Sequence, residues 1–259
     1  MYTTFSLKLS GFRESPSVTE YKTKGNTIAV LQGIKLDKLL PQYTDNGIID
    51  GTGLADEWFK DIQTDVFISY SHNDLELAQI IAGFLEKELG LKVFLDGYFW
   101  GSADSLIEKL DEKHSRNDNG SFNYNKCLLT SSHIHSMLSV AIMKVMDKAE
   151  MVLFLNTKES IPAAKDTISK TYSPWIYEEL MFTQLLKRKI PKRFLKIDET
   201  FSYREDDLKV AYRVPVDSLK VLTWEQITEW NRKAAAAKKN GTAALDVLYD
   251  MVLPRREKH

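Results

Sequence analysis

Trp175-Ile-Tyr-Glu-Glu179 is the segment of this 259-residue chain whose residue types and spacing point most directly to chemistry. Trp175 and Glu179 are four apart, so on a helix they share a face and project an indole and a carboxylate together. A carboxylate beside an aromatic wall suits glycosidic-type chemistry, where it steadies positive charge developing on a sugar carbon and holds ribose hydroxyls. The same spacing also describes a surface glutamate placed favourably near a helix N-terminus. Glu178 is the solvated neighbour that separates the two readings.

Two further segments carry suitable groups. Ser69-Tyr-Ser-His-Asn-Asp74 follows an apolar run and contains the N-cap types Ser71, Asn73 and Asp74. A helix beginning there offers free backbone N–H groups to a phosphate, although capping alone would select the same residues. Asp96-Gly-Tyr-Phe-Trp-Gly-Ser-Ala-Asp-Ser105 sets three consecutive aromatics between two glycines. Read as a loop, it either stacks Tyr98, Phe99 and Trp100 on a base or a partner, or folds them back as a satellite cluster. His133 and His135 are two apart and cannot share a helix face, and no third ligand stands at short spacing, so no metal site is expected. Cys127 alone is no nucleophile signature. The basic run from Lys187 to Lys196 reads as helix-dipole complement and solvated loop. No Walker loop, GxGxxG or GxSxG occurs.

The elements that must position these groups follow from hydrophobic periodicity. Asp65–Tyr70, Lys92–Leu95 and Met151–Leu155 read as strands, the last apolar enough to be buried on both faces. Leu77, Ala78, Ile81, Leu85 and Leu89 trace a helix that stops at Gly90, and Leu138 to Ala149 trace another. Between them a long connection runs from Asp96 to His135. Ser173-Pro174 starts a helix to about Lys189. Strand-like pieces follow at 194–197, 209–214 and 220–222, then helices at about 224–238 and 243–253. Alternation of this kind predicts a parallel α/β sheet in a three-layer sandwich, with ligands at the carboxyl ends of its strands. The first 63 residues contain short alternating stretches (Thr4 to Leu9, Thr27 to Leu31) broken by glycine and proline. They are expected as an N-terminal extension, with room for a few strands, packing on the main domain.

Composition bounds the function classes. The formal net charge is -1, from 35 basic and 36 acidic side chains, which removes the electrostatic argument for a nucleic-acid binder. Hydrophobic residues at 43% and charged ones at 27% suit a chain with a real core. A single cysteine excludes an internal disulfide and fits a reducing, cytoplasmic compartment. Met1 to Lys8 lacks the pattern of a signal peptide. The longest apolar run falls far short of the roughly 20 residues of a membrane span.

Taken in order, Asp65-Val-Phe-Ile-Ser-Tyr-Ser-His-Asn-Asp74, Lys92-Val-Phe-Leu-Asp96, Met151-Val-Leu-Phe-Leu-Asn156 and Ser173-Pro-Trp-Ile-Tyr-Glu-Glu-Leu180 resemble a bacterial Toll/interleukin receptor (TIR) domain. The resemblance covers about residues 64–259, with an insertion at about 111–135, and leaves residues 1–63 unexplained. It implies a flavodoxin-like parallel sheet and, as in NAD-cleaving TIR domains, cleavage of the nicotinamide–ribose bond to ADP-ribose or a cyclised isomer. By the same resemblance Glu179 is the catalytic glutamate, four residues after Trp175. Ser69, Tyr70, Ser71, Asp74, Asp96, Trp100, Ser105 and Trp175 are then substrate-binding, with Asp96–Ser105 in the place of the family's BB loop. That stretch has no Lys or Arg before Glu108, so diphosphate contacts fall to backbone N–H groups or to other segments. NAD is substrate and no cofactor or metal is implied.

The expected partners are further copies of the same domain and a nucleotide-gated effector or sensor, in anti-phage signalling or NAD depletion. A non-catalytic TIR scaffold is the alternative function. A flavodoxin-like nucleoside-processing enzyme, such as a nucleoside deoxyribosyltransferase, is a third.

Overall fold

A computed structural model of the chain describes residues 1–9, 17–32, 40–45, 48–59, 62–162, 170–191, 193, 212–213 and 219–253. The centre is a five-stranded, all-parallel sheet flanked by helices on both faces, a flavodoxin-like three-layer sandwich. In chain order its strands are β1 (Thr3–Lys8), β4 (Val66–Ser69), β5 (Val93–Leu95), β6 (Met151–Leu155) and β9 (Lys220–Thr223). Across the sheet the order is β5-β4-β6-β1-β9. Two small antiparallel pairs lie outside it: β2 (Thr44–Asp45) with β3 (Ile48–Ile49), and β7 (Lys170–Thr171) with β8 (Tyr212–Arg213).

Strand alternation divides the core. Val66, Ile68, Val93, Leu95, Met151, Leu153 and Leu155 face one layer. There they meet α1 (Val18–Gln32), α3 (Leu75–Leu89), α7 (Trp224–Ala236) and α8 (Thr242–Val252). Phe67, Phe94 and Val152 face the other layer, of α2 (Gly51–Trp58), α4 (Gly97–His114) and α5 (Tyr124–Lys148). The period of two in each strand sorts these residues without exception.

β1 changes the expected picture of the N-terminal segment. Rather than belonging to an extension packed on the main domain, it is an inner strand of the central sheet, pairing Thr3–Leu7 with Met151–Leu155 on one side and Phe5–Lys8 with Lys220–Thr223 on the other. Phe5 and Leu7 are wholly buried. β9 joins the sheet through β1, so the first eight residues hold the C-terminal strand in place.

The stretch Thr27 to Leu31, read as alternating, lies instead in α1. Tertiary packing decides this. The α1 and α3 backbones cross so closely that a Cβ on Gly25 would stand 1.8 Å from the Gln79 carbonyl oxygen, and one on Gly83 would stand 1.9 Å from that of Tyr21. Only glycine permits this approach.

The long connection Asp96 to His135 is also corrected. It is a helix–turn–helix, not a loop, because Phe99, Ala103, Leu106 and Leu110 recur at helical spacing and are all buried. The Gly/Asn/Asp-rich stretch 116–125 closes on itself: Asn117 Nδ2 donates to Ser121 Oγ at 3.1 Å, and Asn123 Nδ2 to Asn117 Oδ1 at 3.1 Å. Cys127 therefore sits in α5 rather than in a loop. The piece 194–197 lies outside the described residues. No described helix is long and apolar enough to cross a membrane.

Candidate functional site

Ser69 ends β4 and Asp96 follows β5, and the register that pairs Ile68 with Leu95 makes them neighbours. Two residues earlier, Phe67 and Phe94 stack with ring centroids 5.3 Å apart. The same sheet face that carries this aromatic pair thus carries a hydroxyl and a carboxyl at its carboxyl end. Parallel sheets of this kind bind ligands at that end.

Glu179 reaches the same place from α6 (Pro174–Leu185). Ser173 caps that helix, its Oγ accepting from Ile176 N at 3.3 Å, and Pro174 takes the first turn as the sequence predicts. Trp175, Phe182 and Leu186 pack on the α4–α5 core. Glu179 occupies the remaining position of that 4-3-4 stripe, so an acid stands where the helix needs an apolar residue. It is 1% exposed, Asp96 3% and Ser69 0%. Neither oxygen of Glu179, nor Ser69 Oγ, has a hydrogen-bond partner among the described residues. Asp96 and Ser69 fall short of hydrogen-bond geometry to Glu179 yet are close enough to act on its charge. Burial first and the Asp96 carboxyl second push Glu179 well above the ordinary carboxylate range, with Ser69 opposing. Glu178 is half-buried and also raised, by burial, with the Ser139 hydroxyl acting against the shift.

Gly97 fixes the turn out of β5. Its N–H donates to the Tyr70 hydroxyl at 3.2 Å, and a Cβ there would lie 2.4 Å from that oxygen. Tyr70 is thereby held beside Asp96, buried at the end of β4. On the other side, Trp175 packs against His135 of α5, ring centroids 4.9 Å apart and tilted by 50°. His135 Nδ1 lies 3.1 Å from Ser131 Oγ, and its buried Nε2 has no hydrogen-bond partner among the described residues.

The remaining sequence candidates fall differently. Asp74 is buried and does not cap α3. Its Oδ2 accepts from Thr157 Oγ1 at 2.6 Å and from Ser160 Oγ at 3.3 Å, tying the loop after β4 to the loop after β6. Burial raises its pKa and the two hydroxyls act against that. Ser71 is half-buried with no capping bond. The Asp96–Ser105 stretch is helical from Gly97, and Phe99 folds back to stack on Phe94 and Phe59 at 4.9 and 4.7 Å. Ser105 is exposed on that helix, and the side chain of Trp100 lies outside those described.

His135, Thr157 and Ser160 are neighbours of these groups that no sequence motif marks. Among the described residues no cluster of three or more His, Cys, Asp or Glu is placed to hold a metal ion. The basic run is pinned locally: Arg188 lies over the Tyr2 ring at 4.6 Å, and Arg193 bonds Glu150 and Asp246.

Comparison with known family models, curated proteins and solved structures yields no match.

Proposed function

We propose that the chain is an NAD nucleosidase of TIR type, breaking the bond between nicotinamide and ribose. The observation that carries this is Glu179: a carboxyl group buried without a hydrogen-bond partner among the described residues, on a core-facing stripe, beside Ser69 and Asp96 at the carboxyl end of a parallel sheet. A bare acid in such a place costs stability, and a group kept at that cost is a candidate for chemistry.

Nicotinamide attached to ribose already carries positive charge and leaves readily. The protein's task is to orient the sugar and stabilise the cation that forms at C1′. Glu179 supplies the negative charge, Trp175 flanks the sugar, and Tyr70 and Asp96 close the other side. Asp74 is committed to Thr157 and Ser160, so a diphosphate is better served by backbone N–H groups around Ser71. At 1% exposure Glu179 meets ribose only when the rim opens, which fits a resting state that self-association activates.

The test is release of nicotinamide from NAD by the full chain. Glu179→Ala abolishes it and Glu178→Ala retains it. Activity per molecule should rise with protein concentration. Loss in the Glu178 variant but not in the Glu179 variant contradicts the assignment, and an inert wild type at every concentration favours a scaffold.

A further inference from the structure

We propose that Asp96 is the second carboxyl of the reaction: it and Glu179 act as a pair, one steadying the ribosyl cation and the other taking the proton of the water that captures it. This rests on the NAD reading above and names the group that completes it.

Asp96 stands at the residue before α4, where an aspartate ordinarily bonds the free N–H groups of the helix. Here its side chain makes no capping bond, and the first turn is instead tied down by the Tyr70 hydroxyl, which accepts from Gly97 N. Asp96 thus does not cap the helix it precedes, and it is buried beside Glu179. The two acids come from separate elements, the end of β5 and the second turn of α6, so neither local sequence nor capping explains their meeting. Ser69 Oγ, buried and without a hydrogen-bond partner among the described residues, lies at the same point.

Two carboxyl groups enclosed together do not both ionise easily, because like charges repel strongly where water is excluded. At rest the pair therefore holds one proton, and the positive charge of the bound nicotinamide ribosyl group draws it off, leaving Glu179 ionised toward C1′ and Asp96 ionised toward the attacking water. Among the described residues, Glu178 next in the helix, Tyr70 from the β4 end, and His135 behind Trp175 are titratable groups around the pair. In the step, the C1′–N bond breaks and its electron pair passes to the nicotinamide nitrogen, which leaves neutral. The water oxygen bonds to C1′, and its proton passes to the Asp96 carboxylate and then to solvent, while the Glu179 carboxylate faces the cation. Two carboxyls dividing cation stabilisation and proton transfer is the general solution for glycosidic bonds.

The experiment compares the wild type, Asp96→Asn, Asp96→Glu and Glu179→Gln for nicotinamide release across pH, with circular dichroism to verify folding. Asp96→Asn should lower kcat by about a hundredfold or more with KM little changed, the usual scale for loss of a proton acceptor. Its rate should no longer rise with pH through the titration of the pair. Asp96→Glu restores a carboxyl and with it part of kcat, which a packing role would not do. Wild-type kcat in Asp96→Asn, with Glu179→Gln inactive, overturns the role of Asp96 and leaves the NAD reading standing. A wild type that releases no nicotinamide overturns both.

Discussion

Glu179 and Asp96 bring two carboxyl groups into one enclosed space, one from the second turn of a helix and the other from the end of a strand. The helix stripe that carries Glu179 would pack better with an apolar residue at that position. Stability and function pull in opposite directions at this point of the molecule.

A pH dependence follows. Burial and Asp96 raise the folded-state pKa of Glu179 above its unfolded value. Protonated Glu179 therefore contributes its full share of stability below the unfolded pKa of about 4.3. That share is lost as pH rises through the raised folded value. Asp74 and Glu178 are shifted in the same direction and add to the trend. Thermal midpoints measured from acid to alkaline pH should fall less steeply in Glu179→Gln than in the wild type. Equal slopes would contradict the burial of an ionisable group at this position.

The N-terminal strand supports the rest of the sheet. Phe5 is wholly buried and β1 lies between β6 and β9. Phe5→Ala should cost about 3–5 kcal/mol, the usual range for a large core truncation. A chain beginning at residue 64 should fail to fold cooperatively. Denaturant unfolding of both variants checks this.

Gly97 and Tyr70 form a coupled pair. Gly97→Ala drives its Cβ toward the Tyr70 hydroxyl, 2.4 Å away, and should cost about 1–3 kcal/mol as an overpacked site. Adding Tyr70→Phe removes that oxygen and should recover part of the loss, with the ring's Cζ still 3.1 Å away. Unfolding midpoints of the two single variants and the double variant give the coupling directly.

Much of this arrangement is legible in residue spacing. The strands Val66–Ser69, Val93–Leu95 and Met151–Leu155 announce themselves by apolar content, and Ser173-Pro174 marks the start of α6. The spacing of Trp175, Glu179, Phe182 and Leu186 puts an acid on a core-facing stripe, a signal available without coordinates. Other parts are set by contacts distant in sequence. The Asp96–Ser105 stretch reads as a loop because of Gly97 and Gly101, yet Phe99 packing on Phe94 and Phe59 makes it helical. Thr27 to Leu31 alternates like a strand, but the close approach of Gly25 and Gly83 draws it into a helix against α3. β1 gives no local sign that its partners lie some 150 residues and more along the chain. The hydroxyls of Thr157 and Ser160 carry no motif, and only the fold brings them to Asp74.

Nicotinamide release from NAD by the wild type, Glu179→Ala and Glu178→Ala, followed at low and high protein concentration, decides whether Glu179 is a catalytic carboxylate. Release is expected from the wild type and from Glu178→Ala, and none from Glu179→Ala. Release undiminished in Glu179→Ala would contradict that role.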